Sequence, residues 1–384
     1  MSEPECPMLN WTEGGQTCHA RWRSHAGLPP PRRVVPADDT VSADHAYRLA
    51  CEGVAILWRG DFNNARQLLQ AIARRVERRR PKGGATPQQT FNLHRLAQSQ
   101  RARTLAMLLV PLDGHYRIPL RRAPDLSDAC AHVYGPPPGG DAASVVSLRE
   151  LLGIVGAFEW YRKGVVIDAL GGDRIHPHYG VFSPVRGEYL ELIAQAPLPK
   201  GADALAFDIG TGTGVIAALL ARRGVRRVIA TDVDSRALDC ARENVARLGL
   251  SAQVEVERAD LFPLSRRAPL VVCNPPWVPA RPSASIEHAV FDPDSRMLRG
   301  FLAGLPAHLT PGGEGWLIMS DLAEHLGLRP REAFLAMIDA AGLQVLDRAD
   351  IRPRHPKASD AADPLHAARA REVTSLWRLA VRGG

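Results

Sequence analysis

The chain reads as an α/β protein: a mainly parallel, nucleotide-binding sheet preceded by a mainly helical region. Three observations carry that expectation. Residues 203–381 alternate short apolar runs with helix-periodic segments, the pattern of successive βα units. Residues 205–209 form a buried-strand run that crosses Gly210, Gly212 and Gly214 into an Ala/Leu/Ile segment with helical spacing. An acidic residue, Asp232, follows about 20 residues further on, at the end of Val228-Ile-Ala-Thr-Asp, where such a unit contacts a ribose.

The 384 residues predict two or three domains. With 45% hydrophobic and 23% charged residues the chain has a globular composition, which excludes a disordered or collagen-like one. No run reaches the roughly 20 apolar residues of a membrane-spanning helix, and the first residues lack a basic-then-apolar leader. The six cysteines form no C-x-x-C pair and read as reduced thiols of a cytoplasmic protein. Cys6, Cys18, His19 and His25 fit no usual zinc spacing, so no metal is expected. The formal net charge of +7 permits an acidic partner.

In chain order, residues 1–40 hold Gly14-Gly15, Pro29-Pro-Pro31, Trp11 and Trp22 with little periodicity, and are expected to be an irregular N-terminal arm. Residues 41–160 form the mainly helical domain. Ser42 caps a helix to about residue 59, and Asp61 caps a second over 62–79 with Leu68, Leu69, Ile72 and Val76 at helical spacing. A third helix spans 88–109. This block is basic: Arg59, Arg66, Arg74, Arg75, Arg78, Arg79, Arg80, Lys82, Arg95, Arg101 and Arg103 stand against Asp61 and Glu77. It is either a solvated helix face or a docking face for a macromolecule. Residues 115–122 read as a short edge strand, and 145–160 as a further helix. Residues 161–200 form a β-hairpin linker, with strands over 165–170 and 174–182, and a first helix over 187–196.

Residues 201–384 complete the chain. Strands are expected near 204–208, 227–231, 253–257, 269–273, 314–319, 343–349 and 373–381. Helices are expected near 213–223, 235–248, 296–308 and 328–341. Asp208, Asp232, Asp260 and Asn274 then all fall at carboxyl ends of strands, where such sheets bind ligands. Residues 352–371, rich in Arg, His and Asp, form a long loop between the last two strands, a length often tied to function.

Two stretches define the chemistry. The first reads Asp208-Ile-Gly210-Thr211-Gly212-Thr-Gly214, which lacks the G-x-G-x-x-G spacing of a dinucleotide site and carries no lysine for phosphate. An Asp placed before the glycines suits a ligand with an ammonium group, such as S-adenosylmethionine. The second is Asn274-Pro275-Pro276-Trp277, directly after a buried run. Proline fixes φ and restricts the residue before it, so this turn is stiff and extended. It can point the Asn274 amide oxygen and a backbone carbonyl at one nitrogen, with the Trp277 ring stacked on the planar group.

On these two stretches, residues 203–320 resemble class I S-adenosylmethionine-dependent methyltransferases of the N-methylating branch that carries N-P-P-[YFW]. The continuation Val278-Pro279 is most similar to the HemK type, which methylates a glutamine amide of translation release factors. The resemblance implies a seven-stranded Rossmann-like methyltransferase sheet. S-adenosyl-L-methionine would be held by Asp208, Gly210, Thr211, Gly212, Gly214, Asp232, Val233, Asp260, Leu261 and Asn274. Catalysis would rest on Asn274, Pro275, Pro276 and Trp277. It also implies that the linker, with His176, His178, Tyr179, Phe182 and Arg186, lies over the cofactor, and that the N-terminal domain recognises the substrate. Asp234 is the runner-up to Asp232 for the ribose, although it also fits a helix cap. The substrate is expected to be a macromolecule, either a protein amide or an exocyclic amine of an RNA or DNA base.

Overall fold

The computed structural model describes residues 7–25, 27–78, 83–185, 187–282, 287, 289–354 and 360–383. Two compact units emerge: Met1–Lys82 with Asn92–Glu159, and Gly83–Phe91 with Trp160–Gly384.

The N-terminal unit differs from the helical expectation. Its elements are β1 (Met8–Glu13), β2 (Gln16–Arg23), β3 (Arg33–Ala37), α1 (Ala43–Cys51), β4 (Val54–Trp58), α2 (Phe62–Glu77), α3 (Pro87–Leu105, whose first residues belong to the other unit), β5 (Leu108–Leu112), α4 (Ser127–Tyr134), β6 (Ser144–Ser147) and α5 (Leu148–Lys163). The strands form one mixed six-stranded sheet in the order β1-β2-β6-β5-β4-β3.

The expected irregular arm over 1–40 is therefore corrected. β1 and β2 form an antiparallel hairpin in which Glu13 faces Gln16. Gly14 and Gly15 both take positive φ in its two-residue turn, a conformation that favours glycine. The expected long helices over 42–59, 88–109 and 145–160 each contain a strand. Val-Ala-Ile-Leu-Trp, Leu-Leu-Val-Pro-Leu and Ser-Val-Val-Ser are buried along their whole length. A strand covered on both faces shows no alternation, so it merges by periodicity with the neighbouring helix. No strand forms over 115–122.

Helix caps followed the residue chemistry. Ser42 accepts from His45 N–H and Asp61 from Asn63 N–H. Asp61 is fully buried and also meets Arg122 at 2.5 Å and Arg121 at 3.3 Å. Part of the basic surplus is neutralised locally: Arg59 pairs with Glu13, Arg75 with Asp44 and Arg101 with Glu77. Cys6, Arg79, Arg80, Lys82 and Arg186 lie outside the described residues.

The C-terminal unit continues with β7 (Val165–Val166), β8 (Arg174–Ile175), α6 (Glu188–Gln195), β9 (Ala206–Ile209), α7 (Val215–Arg222), β10 (Val228–Asp232), α8 (Ser235–Arg247), β11 (Val254–Arg258) and β12 (Ala268–Cys273). There follow α9 (Arg296–His308), β13 (Leu309–Ser320), α10 (Leu322–His325), α11 (Arg331–Ala340), β14 (Leu343–Ile351), α12 (His366–Arg369) and β15 (Thr374–Val381). The expected hairpin is reduced to two paired residues on each side, β7 with β8.

The main sheet has seven strands in the order β11-β10-β9-β12-β13-β15-β14. β9 through β13 run parallel, and β15 is antiparallel to both β13 and β14. Alternate strand residues feed two core layers, as the two-residue pleat requires. Ala206, Val272 and Ile318 lie in one; Phe207, Val271 and Leu317 lie in the other. The chain reverses direction across the sheet between β9 and β12, and there Ile209 pairs with Cys273.

The buried-strand assignment in the N-terminal unit has a direct consequence. Leu57 is fully buried in β4, which lies between β5 and β3. Leu57→Ala is expected to cost about 2–5 kcal/mol of unfolding free energy through the cavity it leaves. Urea unfolding followed by circular dichroism measures this, and a loss under about 1 kcal/mol contradicts a two-sided core strand.

Candidate active site

β9 and β12 are hydrogen-bonded neighbours, with Asp208 opposite Val272 and Ile209 opposite Cys273. Their carboxyl ends therefore release the glycine stretch and the Asn-Pro-Pro-Trp stretch side by side. This is the reversal point at which open α/β sheets bind ligands.

The glycine stretch is tied to β10. The Gly210 and Thr211 N–H groups both donate to the Thr231 carbonyl at 2.9 Å. Gly210 has φ +71°, and a Cβ there would press on Met297 Cε at 2.5 Å. Gly214 has φ +81°, and a Cβ there would meet Ala241 Cα at 3.2 Å, which lets α7 and α8 pack closely. α7 is buried on every side from Val215 to Ala221, as its all-apolar sequence requires.

Asp208 is fully buried at the centre of this arrangement. Its Oδ2 accepts from Thr211 Oγ1 at 2.6 Å and from Ala217 N–H at 3.0 Å. Its Oδ1 is equally enclosed and has no hydrogen-bond partner. A buried carboxylate oxygen without a donor is costly. Burial pushes the Asp208 carboxyl up to about 7, the Thr211 and Ala217 bonds oppose that shift, and the Asp232 charge adds to it. An ammonium group supplies the missing donor, so the residues present fit the amino-acid end of S-adenosylmethionine.

Asp232 stands at the end of β10. Its Oδ2 accepts from Gly212 N–H at 3.1 Å and its Oδ1 from Asp234 N–H at 3.0 Å, so it braces the glycine turn. Burial raises its pKa above the ordinary carboxylate value. Asp234 caps α8 through Arg236 N–H and pairs with the Arg236 guanidinium at 2.6 Å. Val233 is exposed beside them. Leu261 takes a positive φ, and its carbonyl accepts from Thr231 Oγ1 at 2.5 Å. The Asp260 carboxylate is not brought into the buried cluster: it lies at the surface, 3.8 Å from Arg296.

In the second stretch Asn274 is half-buried and Pro275 buried. The Trp277 Nε1–H donates to Asn274 Oδ1 at 2.9 Å. The indole therefore orients the amide and leaves its oxygen one further lone pair. Trp277 also packs against both core layers of the sheet. Val278 forms a parallel bridge to Phe291, and Asp292 N–H donates to the Val278 carbonyl at 2.9 Å. Asp292 then accepts from Met297 and Leu298 N–H, which anchors the start of α9.

Val278, Phe91, Leu326, Leu365 and Ala368 form one buried apolar cluster beside Trp277. The described part of the 352–371 loop thus packs next to the acceptor turn.

The rings of the two linker histidines are hydrogen-bonded to neighbouring elements. His176 Nδ1 bonds the Tyr161 carbonyl at 2.6 Å, and His178 Nε2 bonds Glu243 at 2.7 Å. The His176 ring thus ties the linker to the end of α5, and the His178 ring ties it to Glu243 on α8.

Residue patterns did not single out Tyr189, Met297 or Arg329. Tyr189 is buried on α6, and its phenol is pushed above its ordinary range by burial and by the Asp208 charge, with Asn274 opposing. Its only signal was a place within an apolar helix face. Among the described residues there is no His, Cys, Asp or Glu group able to hold a metal ion, and no helix is long and apolar enough to cross a membrane.

Residues 174–330 match the family model described as "Methyltransferase small domain". The chain is 35% identical over 153 residues to a release factor glutamine methyltransferase of Cereibacter sphaeroides, covering 36% of this chain and 52% of that protein. It is 34% identical over 180 residues to the release factor glutamine methyltransferase of Deinococcus radiodurans, covering 44% and 61%. It is 35% identical over 143 residues to ribosomal RNA small subunit methyltransferase C of Alcanivorax borkumensis, covering 36% and 40%. The chain thus spans about half the length of the first of these relatives. The matched region is thus similar to a methyltransferase domain and to the release factor glutamine methyltransferases that share it.

The buried Asp208 sets a pH dependence with a definite sign. Its folded pKa lies above the unfolded value, so its contribution to stability of the ligand-free fold is present at low pH and is lost as pH rises through about 7. An ammonium group on Oδ1 favours the ionised carboxyl and acts oppositely. The affinity for S-adenosylhomocysteine is expected to rise about tenfold per pH unit from about pH 5 to 7, then to level off. Asp208→Asn is expected to flatten the profile. Calorimetric titration across that range decides it, and a wild-type profile without slope removes the ammonium contact from Asp208.

Proposed function

We propose that this chain is an S-adenosylmethionine-dependent N-methyltransferase whose acceptor is a glutamine side-chain amide of a protein, with a translation release factor as the best-matched substrate. The observation that carries the reading is the side-by-side exit of Asp208-x-Gly-x-Gly-x-Gly and Asn274-Pro-Pro-Trp from adjacent strands, with Asn274 Oδ1 held by the Trp277 indole. The glutamine methyltransferases matched at 34–35% identity over this region support the choice of acceptor.

The cofactor supplies a methyl group already activated on a sulfonium. What remains for the protein is orientation and charge. A planar amide nitrogen must lose resonance as it attacks, and it gains positive charge. In this reading the free lone pair of Asn274 Oδ1 and the Pro275 carbonyl accept its two hydrogens, which fixes its approach and stabilises that charge. The Trp277 ring packs against the acceptor plane and turns its π face toward the developing cation. No dedicated general base is required, since the methylated nitrogen gives up its proton readily. Asp208 holds the ammonium end of the cofactor, the Gly210–Gly214 backbone lets it approach, and Asp232 engages the ribose hydroxyls. Leu261 and Val233 flank the adenine in this reading, and Asp260 contributes from the surface.

A base amine is the second reading. It is favoured by exposed Arg66, Arg74 and Arg78 along α2, and by the matched ribosomal RNA methyltransferase. Transfer of tritiated methyl into a lysate lacking this protein separates the two. Label lost to protease, in a band of release-factor size, supports the amide; label lost to nuclease transfers the assignment to a base.

In the same assay Asn274→Ala is expected to lower kcat by about 100-fold or more, while S-adenosylhomocysteine binding stays within threefold. Retained turnover removes Asn274 from the chemistry. Asp232→Ala is expected to weaken S-adenosylhomocysteine by at least about tenfold, or about 1.4 kcal/mol. An unchanged Kd in that variant moves the ribose contact elsewhere.

A further inference from the structure

Arg329 lies in the short connection between α10 and α11 and is only 5% exposed. Its backbone is fixed by Leu328 N–H and Arg329 N–H, which both donate to the Ala323 carbonyl. Its guanidinium joins three separate segments. Nη1 donates to Ser295 Oγ at 3.1 Å, at the entry to α9. Nη2 donates to the Trp277 carbonyl at 3.1 Å and approaches Met319 Sδ, near the end of β13, at 3.3 Å. Nε is buried without a partner.

No ion pair compensates this charge among the described residues. Asp292 is committed to the α9 N–H groups, and Glu324 is bonded to Arg331. Burial lowers the affinity of the Arg329 guanidinium for its proton, with Glu324 and Asp292 acting in the opposite direction. A buried cation of this kind is a poor device for stability, because an apolar side chain of similar length avoids the desolvation cost. What arginine offers instead is a rigid fork of donors.

The fork acts on the carbonyl side of the peptide that joins Trp277 to Val278. Prolines fix φ at positions 275, 276 and 279, and the bridge to Phe291 fixes Val278. ψ of Pro276 and both torsions of Trp277 carry no proline of their own, and the peptide between Trp277 and Val278 is held on its N–H side by the Val290 carbonyl at 3.2 Å. Arg329 Nη2 holds that carbonyl.

We propose that Arg329 is a positioning residue of the acceptor turn: by fixing the Trp277 peptide it sets the indole, and through Trp277 Nε1 it sets the Asn274 amide. The kinetic part rests on the acceptor role given above to Asn274; the geometric part does not.

The test uses the full chain labelled with 5-fluorotryptophan, in which the Trp277 fluorine resonance is assigned by its loss in Trp277→Phe. Arg329→Met removes the donors and keeps an apolar side chain of comparable length. Its thermal midpoint is expected to match or exceed that of wild type, with S-adenosylhomocysteine affinity within threefold. The Trp277 resonance is expected to shift by more than its linewidth, and kcat to fall at least tenfold with KM for the release factor within threefold. Arg329→Lys keeps the charge and one donor and is expected to recover part of both changes. If the methionine variant does not fold, the lysine variant carries the same two readouts with smaller displacements. A Trp277 resonance unmoved in the folded variants overturns the proposal whether or not the release factor is the acceptor. So does a shifted resonance with kcat within threefold of wild type. Failure of wild type to methylate a release factor refutes the substrate instead, and the fluorine spectra still decide the role of Arg329.

Discussion

The pairing of Ile209 with Cys273 is the constraint on which the candidate site depends. It places two parallel strands in register, so that both end at one level. Everything chemically specific then emerges within a few residues: Gly210 from one strand, Asn274 from the other. Neither stretch needs loop geometry of its own to find its neighbour. The sheet hydrogen bonds do that, and the apolar layers on both faces hold the sheet rigid. Three polar side chains at these strand ends are held by hydrogen bonds. Asp208 is held by Thr211 and Ala217, Asp232 by the Gly212 and Asp234 amides, and Asn274 by the Trp277 indole. Preorganised acceptors of this kind lose little on meeting a substrate, which is where electrostatic catalysis gains most.

The C-terminal unit was largely legible in the residues. Its strands alternate with helices, its glycines sit at a strand end, and caps such as Asp234 stand where short polar side chains serve best. The N-terminal unit was not. β4, β5 and β6 are short, fully buried runs joined to helices by two residues or fewer, so each reads as more helix. The hairpin of β1 and β2 did carry its signal, two consecutive glycines between Trp11-rich and Trp22-rich flanks. The alternation along both strands, with Leu9, Ala20 and Trp22 buried between more exposed neighbours, carried the same signal, and the reading as an arm passed over it.

Within the site, the split between legible and hidden residues has one physical origin. Asp208 and Asn274 stand beside glycines and prolines that shape their own local backbone, so each candidate and its support share a stretch. Tyr189, Met297 and Arg329 instead meet groups far away in the chain: Asn274, Gly210 and Trp277. Arg329 is 52 positions from the carbonyl it binds. Nothing in Gly327-Leu-Arg-Pro330 distinguishes it from a surface turn. The ring partners of the two histidines, Tyr161 and Glu243, were equally hidden from the residue pattern.

Phe91 is buried among Val278, Leu326, Leu365 and Ala368, although 68 residues of the N-terminal unit separate it from Trp160. The C-terminal unit is therefore not a contiguous length of chain. It borrows a nine-residue piece, Gly83–Phe91, from upstream. A recombination or proteolytic event that severed the chain near 160 would strip a phenylalanine, worth about 1.5–3 kcal/mol of burial, from the cluster that flanks Trp277. A single join near 160 therefore leaves an apolar gap beside the Asn274-Pro-Pro-Trp turn, because the C-terminal unit draws on chain from both sides of that point.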